Sequence, residues 1–508
     1  MTESVQDIDP GAIGGEPHKA FVAEHRGIAY VPEDQRDGKP GSLFWMWAGS
    51  ILNVLPITFG ALLPLIGLSF TQSIVIAIVG NLSWLLVGIA SQSGPDAGTT
   101  ALMISRAPFG QNGNRFVGIF QWLALLGFEA SFMVVTVQAG LALAEKAGVD
   151  PGDGLKAVII VIAGLLLPII ALYGHATIVR VLGGLSVISV VFFAIVAIIV
   201  IPKAHPSVFG HSAPWGTLAI GLSIIVSGSG FGFVLQAADY SRYLSKNHTN
   251  RKVLFWATSG GGFVAETLLT LLGVVIATEL TKGVDAVSGV PTLFTSWFAV
   301  PYLILIALQI LAANAFALYS SGLTLQSIGL RVKRWMAVAI DTSICVVVTF
   351  IAIFSNSFYN LLSDFLLFVL IFFAPFVAIY LVDWGLRRGT YDSDGLQTTK
   401  GGIYWRRGGV HLAGIISLVL GMVAASLWLN TSVYVGPLAS RIGDSDLSWL
   451  VGALVGGLTY LIFAARRVRS ETLATVEQQN ATEARSDASN GSSDSAPVVG
   501  TASGGALS

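Results

Sequence analysis

Charge is scarce in this sequence. Of its 508 residues only 11% are Asp, Glu, Lys or Arg, against about 25% in an ordinary soluble domain. Hydrophobic residues make up 54% and the mean hydropathy is +0.73, values that place the chain among membrane proteins. Cysteine is almost missing: the single Cys345 sits in an apolar run, which excludes disulfides and cysteine-built metal sites. A formal net charge of −1 offers no basic surface for a nucleic acid partner. Histidine is sparse as well. His175 and His205 fall between apolar runs and His411 at the head of one. No His/Asp or Ser/His constellation therefore stands at helical spacing inside a run, which excludes an intramembrane enzyme. A repeated polar filter is lacking too, and with it a channel. Residues 1–41 are polar and of mixed charge, so no cleavable signal peptide is expected there.

What is abundant is the long apolar run. A helix needs about 20 apolar residues to cross a bilayer. Twelve such runs start near Phe44, Ser73, Phe116, Ala157, Ile178, Leu218, Val253, Val300, Met336, Leu361, His411 and Leu447. They are continuous, whereas a barrel would require alternating segments of about ten residues, so an all-α integral membrane fold is expected. The division is a cytoplasmic N-terminal tail (1–41), a transmembrane transporter domain (42–469) and a Ser/Gly/Ala-rich C-terminal tail (470–508) of low complexity, expected to be disordered. With both termini inside, the outward loops hold only Lys146, Lys156, Lys203, Lys282 and Arg441 of the 28 Lys and Arg. That asymmetry predicts cytoplasmic termini.

Two runs are interrupted. The first contains `PITFGALLPLIGLS`, with Pro56, Gly60, Pro64 and Gly67; the sixth contains `SGSGFG`, with Gly228, Gly230 and Gly232. Proline removes a backbone donor and glycine weakens a helix, and in hydrocarbon such breaks are tolerated only where they line a cavity or meet protein. Close helix packing explains one glycine-rich run equally well. The spacing of two is more telling: runs one and six lie five apart and cross in opposite directions, as two inverted five-helix halves require. Interrupted helices at matching positions of inverted halves point to a midplane binding site. A phosphate loop is excluded, because `GSGFG` lacks both a preceding strand and the G-x-G-x-x-G spacing.

The segment `AADYSRYL` (237–244) resembles the signature of the nucleobase:cation symporter-1 family, in its purine–cytosine permease branch. `GALLPLIGLSF` (60–70), `GNL` (80–82), `SGPDAGTTALMISRAPFGQNGN` (93–114) and `NAFALYSSGL` (314–323) follow in the family's order. The resemblance spans about residues 42 to 465. It implies a leucine-transporter-type fold, with two inverted five-helix repeats plus two further helices, that carries a planar heterocycle across a cell membrane. It requires no cofactor and no oligomer; the partners are the small substrate and the lipid bilayer.

The same resemblance names site residues. Phe128, after Gly127 in `LLGFEASF`, takes the place of a stacking Trp on the third run, and the second aromatic on the sixth run aligns with Gly230 or Phe233, with Phe231 beside them. Gly60 and Ser229 lie at the breaks. Asn314 on the eighth run matches an asparagine that reads the substrate edge, a task suited to an amide's donor and acceptor. Gln121 and Gln309 are further amides within runs. Asp239, Arg242 and Arg106 take gating roles. Glu129 and Glu266 are carboxylates inside apolar runs, where a charge is costly, and so are candidates for coupling. Sodium-coupled relatives carry two hydroxyl residues before the asparagine, where this chain has Ala312 and Ala313. Alanine supplies no oxygen ligand to a hard cation. Proton symport of cytosine or a purine is therefore expected, with sodium coupling, or another heterocycle such as a pyridoxine-like vitamin or a hydantoin, as the alternatives.

Overall fold

The computed structural model describes residues 27–493, apart from 174, 281–285, 331–333, 356–357 and 399. A helix stands at each of the twelve predicted runs, which are numbered here as spans. Among the described residues nine helices are long and apolar enough to cross a membrane, or ten if the bent first pair counts as one span. Asp153–Tyr173 and the shorter apolar helix Leu412–Leu427 occupy spans four and eleven. Helices satisfy their own backbone groups, the condition hydrocarbon imposes. Large apolar side chains such as Leu165, Ile198 and Ile462 remain exposed on outer faces, where lipid is the solvent.

Packing follows the inverted halves. The third span (Gln111–Lys146) lies along the eighth (Ser296–Ser327) and touches the ninth (Arg334–Ser355), while the eighth in turn touches the fourth. The first span packs on the seventh (Arg251–Ala277), and the sixth (Trp215–Ser241) on the second (Phe70–Ala97). Shifting every number by five exchanges these partners.

The last helix differs from expectation. It runs from Ser448 to Ser493, so the predicted disordered tail is helical through Ser493, and residues 494–508 lie outside the described part. The cause is a buried acid within that tail. Glu471 accepts from Arg387 Nη2 at 2.9 Å, and Arg387 Nε donates to Asp383 at 2.8 Å. Tyr460 donates to the same Asp383 at 2.7 Å. A buried guanidinium left without its carboxylates is costly, and this holds the extension on the bundle.

Candidate substrate site

The first span breaks between its two helices, Pro40–Ile51 and Leu55–Leu65, which meet at 56°. The break falls at Leu52–Val54, ahead of the prolines and glycines that suggested it. Asn53 closes it: Nδ2 donates to the Ser50 carbonyl and Oδ1 accepts from Leu55 N–H, both at 2.9 Å. Pro56 sits in the first turn of the second helix, a position that needs no N–H donor. The sixth span breaks where the sequence placed it. Ser227–Phe231 forms a wide turn of π-helix in which Ser229 leaves helical geometry at φ −105° and ψ −131°.

Between the two breaks lies a cavity of about 30 Å³, room for only about one or two waters. A nucleobase does not fit without separation of the walls. Phe59, Phe128, Phe132, Phe233 and Phe316 supply flat apolar surface, and Ser50, Asn53, Gln236 and Glu266 supply polar groups. Gly228 and Gly232 provide the close floor: a methyl at Gly228 meets the Phe59 ring at 2.7 Å.

Phe128 and Phe233 both reach the cavity. Phe128 is held edge-on by Phe365, their ring centres 5.1 Å apart. Phe233 stacks on Trp84 at 5.0 Å with ring planes 22° apart. That indole has a second task, donating to Glu266 Oε2 at 2.6 Å. Glu266 is therefore a fully buried carboxyl in the cavity wall, held by the Trp84 indole with the Ser229 hydroxyl beside it.

Glu129 and Asn314 do not line the cavity. Neighbours on a helix point about 100° apart, so Phe128 facing inward turns Glu129 toward the ninth span, where Cys345 Sγ approaches its Oε2 at 3.9 Å. Asn314 donates to the backbone carbonyl of Glu129 at 3.0 Å, tying the eighth span to the third. Among the described residues its carbonyl oxygen meets no donor. Gly60 is also misplaced by the sequence reading. An added methyl there would lie 1.9 Å from the Thr270 carbonyl, so Gly60 lets the first and seventh spans touch. Gly230 faces the second span, its N–H bonded to Ser83 Oγ at 3.0 Å. Phe231 packs edge-on against Trp449, 6.1 Å away. The buried Ser229 hydroxyl forms no well-shaped hydrogen bond. Gln121 points its amide nitrogen at the Leu235 carbonyl at 3.5 Å, and Gln309 donates to the Gly49 carbonyl at 2.9 Å.

The gating trio divides. Asp239 accepts from Ala101 N–H at 3.0 Å and from Ser320 at 3.2 Å, joining the sixth span to the loop after the second and to the eighth. Arg242 is buried beside it and donates to the Gly27 carbonyl at 2.8 Å and to the Tyr243 hydroxyl at 2.8 Å. Arg106 belongs to a separate group, donating to the Leu396 and Ser327 carbonyls at 2.8 and 3.2 Å. Reasoning from sequence missed Asn53, Trp84 and Gln236. Asn53 and Gln236 were visible as amides beside interrupted helices, whereas nothing in sequence paired Trp84 with Glu266.

Comparison with known proteins decides the family. Residues 30–452 match the family model described as a permease for cytosine/purines, uracil, thiamine, allantoin. The chain belongs to this permease family. The permease is 28% identical over 461 residues to YxlA of Bacillus subtilis (strain 168), named as a candidate purine-cytosine permease, covering 88% of this chain and 97% of that one. It is 26% identical to the purine-cytosine permease fcyB of Emericella nidulans, over 86% of this chain and 87% of the relative. Its fold matches that of Mhp1, a nucleobase-cation-symport-1 family transporter solved in a closed conformation with bromovinylhydantoin bound. The TM-score is 0.70 at 18% identity, over 88% of this chain and 96% of that one. A sodium-coupled sialic acid symporter in a substrate-bound outward-open state shares the fold more loosely, with a TM-score of 0.54 at 11% identity over 87% and 92% of the two chains. The permease is thus a multi-pass membrane transporter of the nucleobase:cation symporter class with the leucine-transporter-type fold, and not an enzyme.

Proposed function

We propose that the permease takes up a nucleobase such as cytosine or a purine by proton symport, alternating access between the two sides of a cell membrane with both termini in the cytoplasm. The observation that carries the proton reading is Glu266, a fully buried carboxyl in the cavity wall with Trp84 as its donor. An acid in the cavity wall couples protonation to substrate binding directly. Glu266 is so placed in this conformation and Glu129 is not. Ala313 lines the same wall and Ala312 is buried behind it, so this stretch of the eighth span presents no side-chain oxygen to a sodium ion.

The substrate reading rests on the phenyl rings of Phe128 and Phe233 and the amides of Asn53 and Gln236, which line the same cavity. A flat heterocycle stacks on the former, and its edge finds donors and acceptors on the latter. Gln236 Oε1 is buried and meets no donor among the described residues, so it is available to a ring N–H. Opening needs the walls to part about the two breaks, Leu52–Val54 and Ser227–Phe231. Uptake of labelled cytosine or adenine, competed by unlabelled bases, hydantoin, allantoin and pyridoxine, tests the substrate class. The proposal expects bases to compete most strongly; strongest competition by hydantoin or pyridoxine overturns it.

A further inference from the structure

A second cavity lies outside the substrate path, at the end of the bundle where the termini emerge. It encloses about 300 Å³ and is lined by Arg106, Gln111, Asn112, Arg115, Lys400 and Trp405, with Ser327 and Gly329 completing it. Among the described residues three cations converge here and no carboxylate lines the space. Arg106 is buried, and although its terminal nitrogens hold the Leu396 and Ser327 carbonyls, its Nε meets no acceptor. The amide nitrogen of Gln111, also buried, meets none either. Buried donors are usually satisfied, so the two in this wall are open to an acceptor that enters the cavity. Gln111 and Asn112 also form the first turn of the 36-residue third span, whose N-terminus adds a partial positive charge. Burial and the neighbouring Arg115 cation pull the Arg106 guanidinium down to about 10, the response of a cation that has like charge beside it.

We propose that this cavity is an anion site that binds a phosphate group. Arginine forks match phosphate oxygens in pairs, and lysine adds a point charge. The volume admits more than bare phosphate, and the Trp405 ring offers a flat wall to whatever carries it. Two sources supply such a group on the cytoplasmic side: a soluble phosphate compound, such as a nucleoside monophosphate, or the headgroup of an anionic phospholipid. The ligand would bridge the start of the third span, the end of the eighth and the loop ahead of Leu412, which Arg106 already ties together.

The test uses the full-length permease in nanodiscs of neutral phosphatidylcholine. One arm titrates inorganic phosphate and adenosine monophosphate; the other replaces part of the lipid with phosphatidic acid. Both read thermal unfolding and, in parallel, binding by calorimetry or native mass spectrometry. Wild type should gain stability in at least one arm, in a salt-sensitive manner. The double substitution Arg115→Ala/Lys400→Ala, confined to the cavity rim, should weaken binding by about tenfold or more, since charge-assisted bonds are lost. Arg106→Gln should do the same, and the double variant guards against a folding defect there. A response in the soluble arm alone assigns a soluble ligand, and a response in the lipid arm alone assigns a headgroup. No response in either arm, or one unchanged in the double variant, overturns the proposal.

Discussion

Glu129 and Glu266 are both fully buried in the bundle, and of the two only Glu266 reaches the cavity. Asn314 shows the same division of labour, because its amide holds the third span through the Glu129 carbonyl. Asn314→Ala should therefore cost about 1–3 kcal/mol of stability, seen as a lower Tm, with KM within twofold of wild type. A large rise in KM at unchanged Tm would return Asn314 to the substrate. Gln236→Ala is expected to behave in the opposite way, raising KM with little change in Tm. Stacking is tested by Phe128→Leu, which keeps apolar bulk and removes the ring face. Loss of about 1 kcal/mol raises KM roughly fivefold, and an unchanged KM would reduce Phe128 to packing.

At the scale of the helix, glycine carries two meanings that composition does not separate. In the sixth span it permits a π-turn; in the first, Gly60 permits contact with the seventh span. Gly60→Ala forces a methyl against the Thr270 backbone and should cost about 1–3 kcal/mol by overpacking. Gly322, in the eighth helix, has nothing within 4 Å of a built methyl. Gly322→Ala should therefore stabilise by up to about 1 kcal/mol through helix propensity. Thermal unfolding of the two variants in detergent checks the contrast, and equal shifts would contradict it. This ambiguity also explains what was legible beforehand. The twelve runs, the two interrupted helices and Phe128 follow from hydropathy, punctuation and family motifs, whereas the aromatic of the sixth span stayed open between Gly230 and Phe233. The true break at Leu52–Val54 carries neither proline nor glycine, so only Asn53 marked it. Glu129 drew attention by sitting next to Phe128, yet a one-residue step on a helix turns the side chain away.

For the molecule as a whole, the long last helix is part of the folded bundle and not an appendage. Glu471→Gln removes a charge from the buried Arg387 network while Asp383 remains, so a fall in Tm of several degrees is expected. An unchanged Tm would contradict the packing seen here. Transport itself demands that a closed cavity open alternately to each side, with the substrate and the coupling ion in one compartment. The most direct test is substrate-driven proton entry into proteoliposomes reconstituted with wild type or Glu266→Gln. Wild type should acidify the lumen when base is added, equally well in sodium or choline. The Gln variant should still exchange labelled for unlabelled base while moving no protons. Proton entry that persists in Glu266→Gln, or uptake that requires sodium at constant pH, would contradict the assignment of Glu266 as the coupling residue.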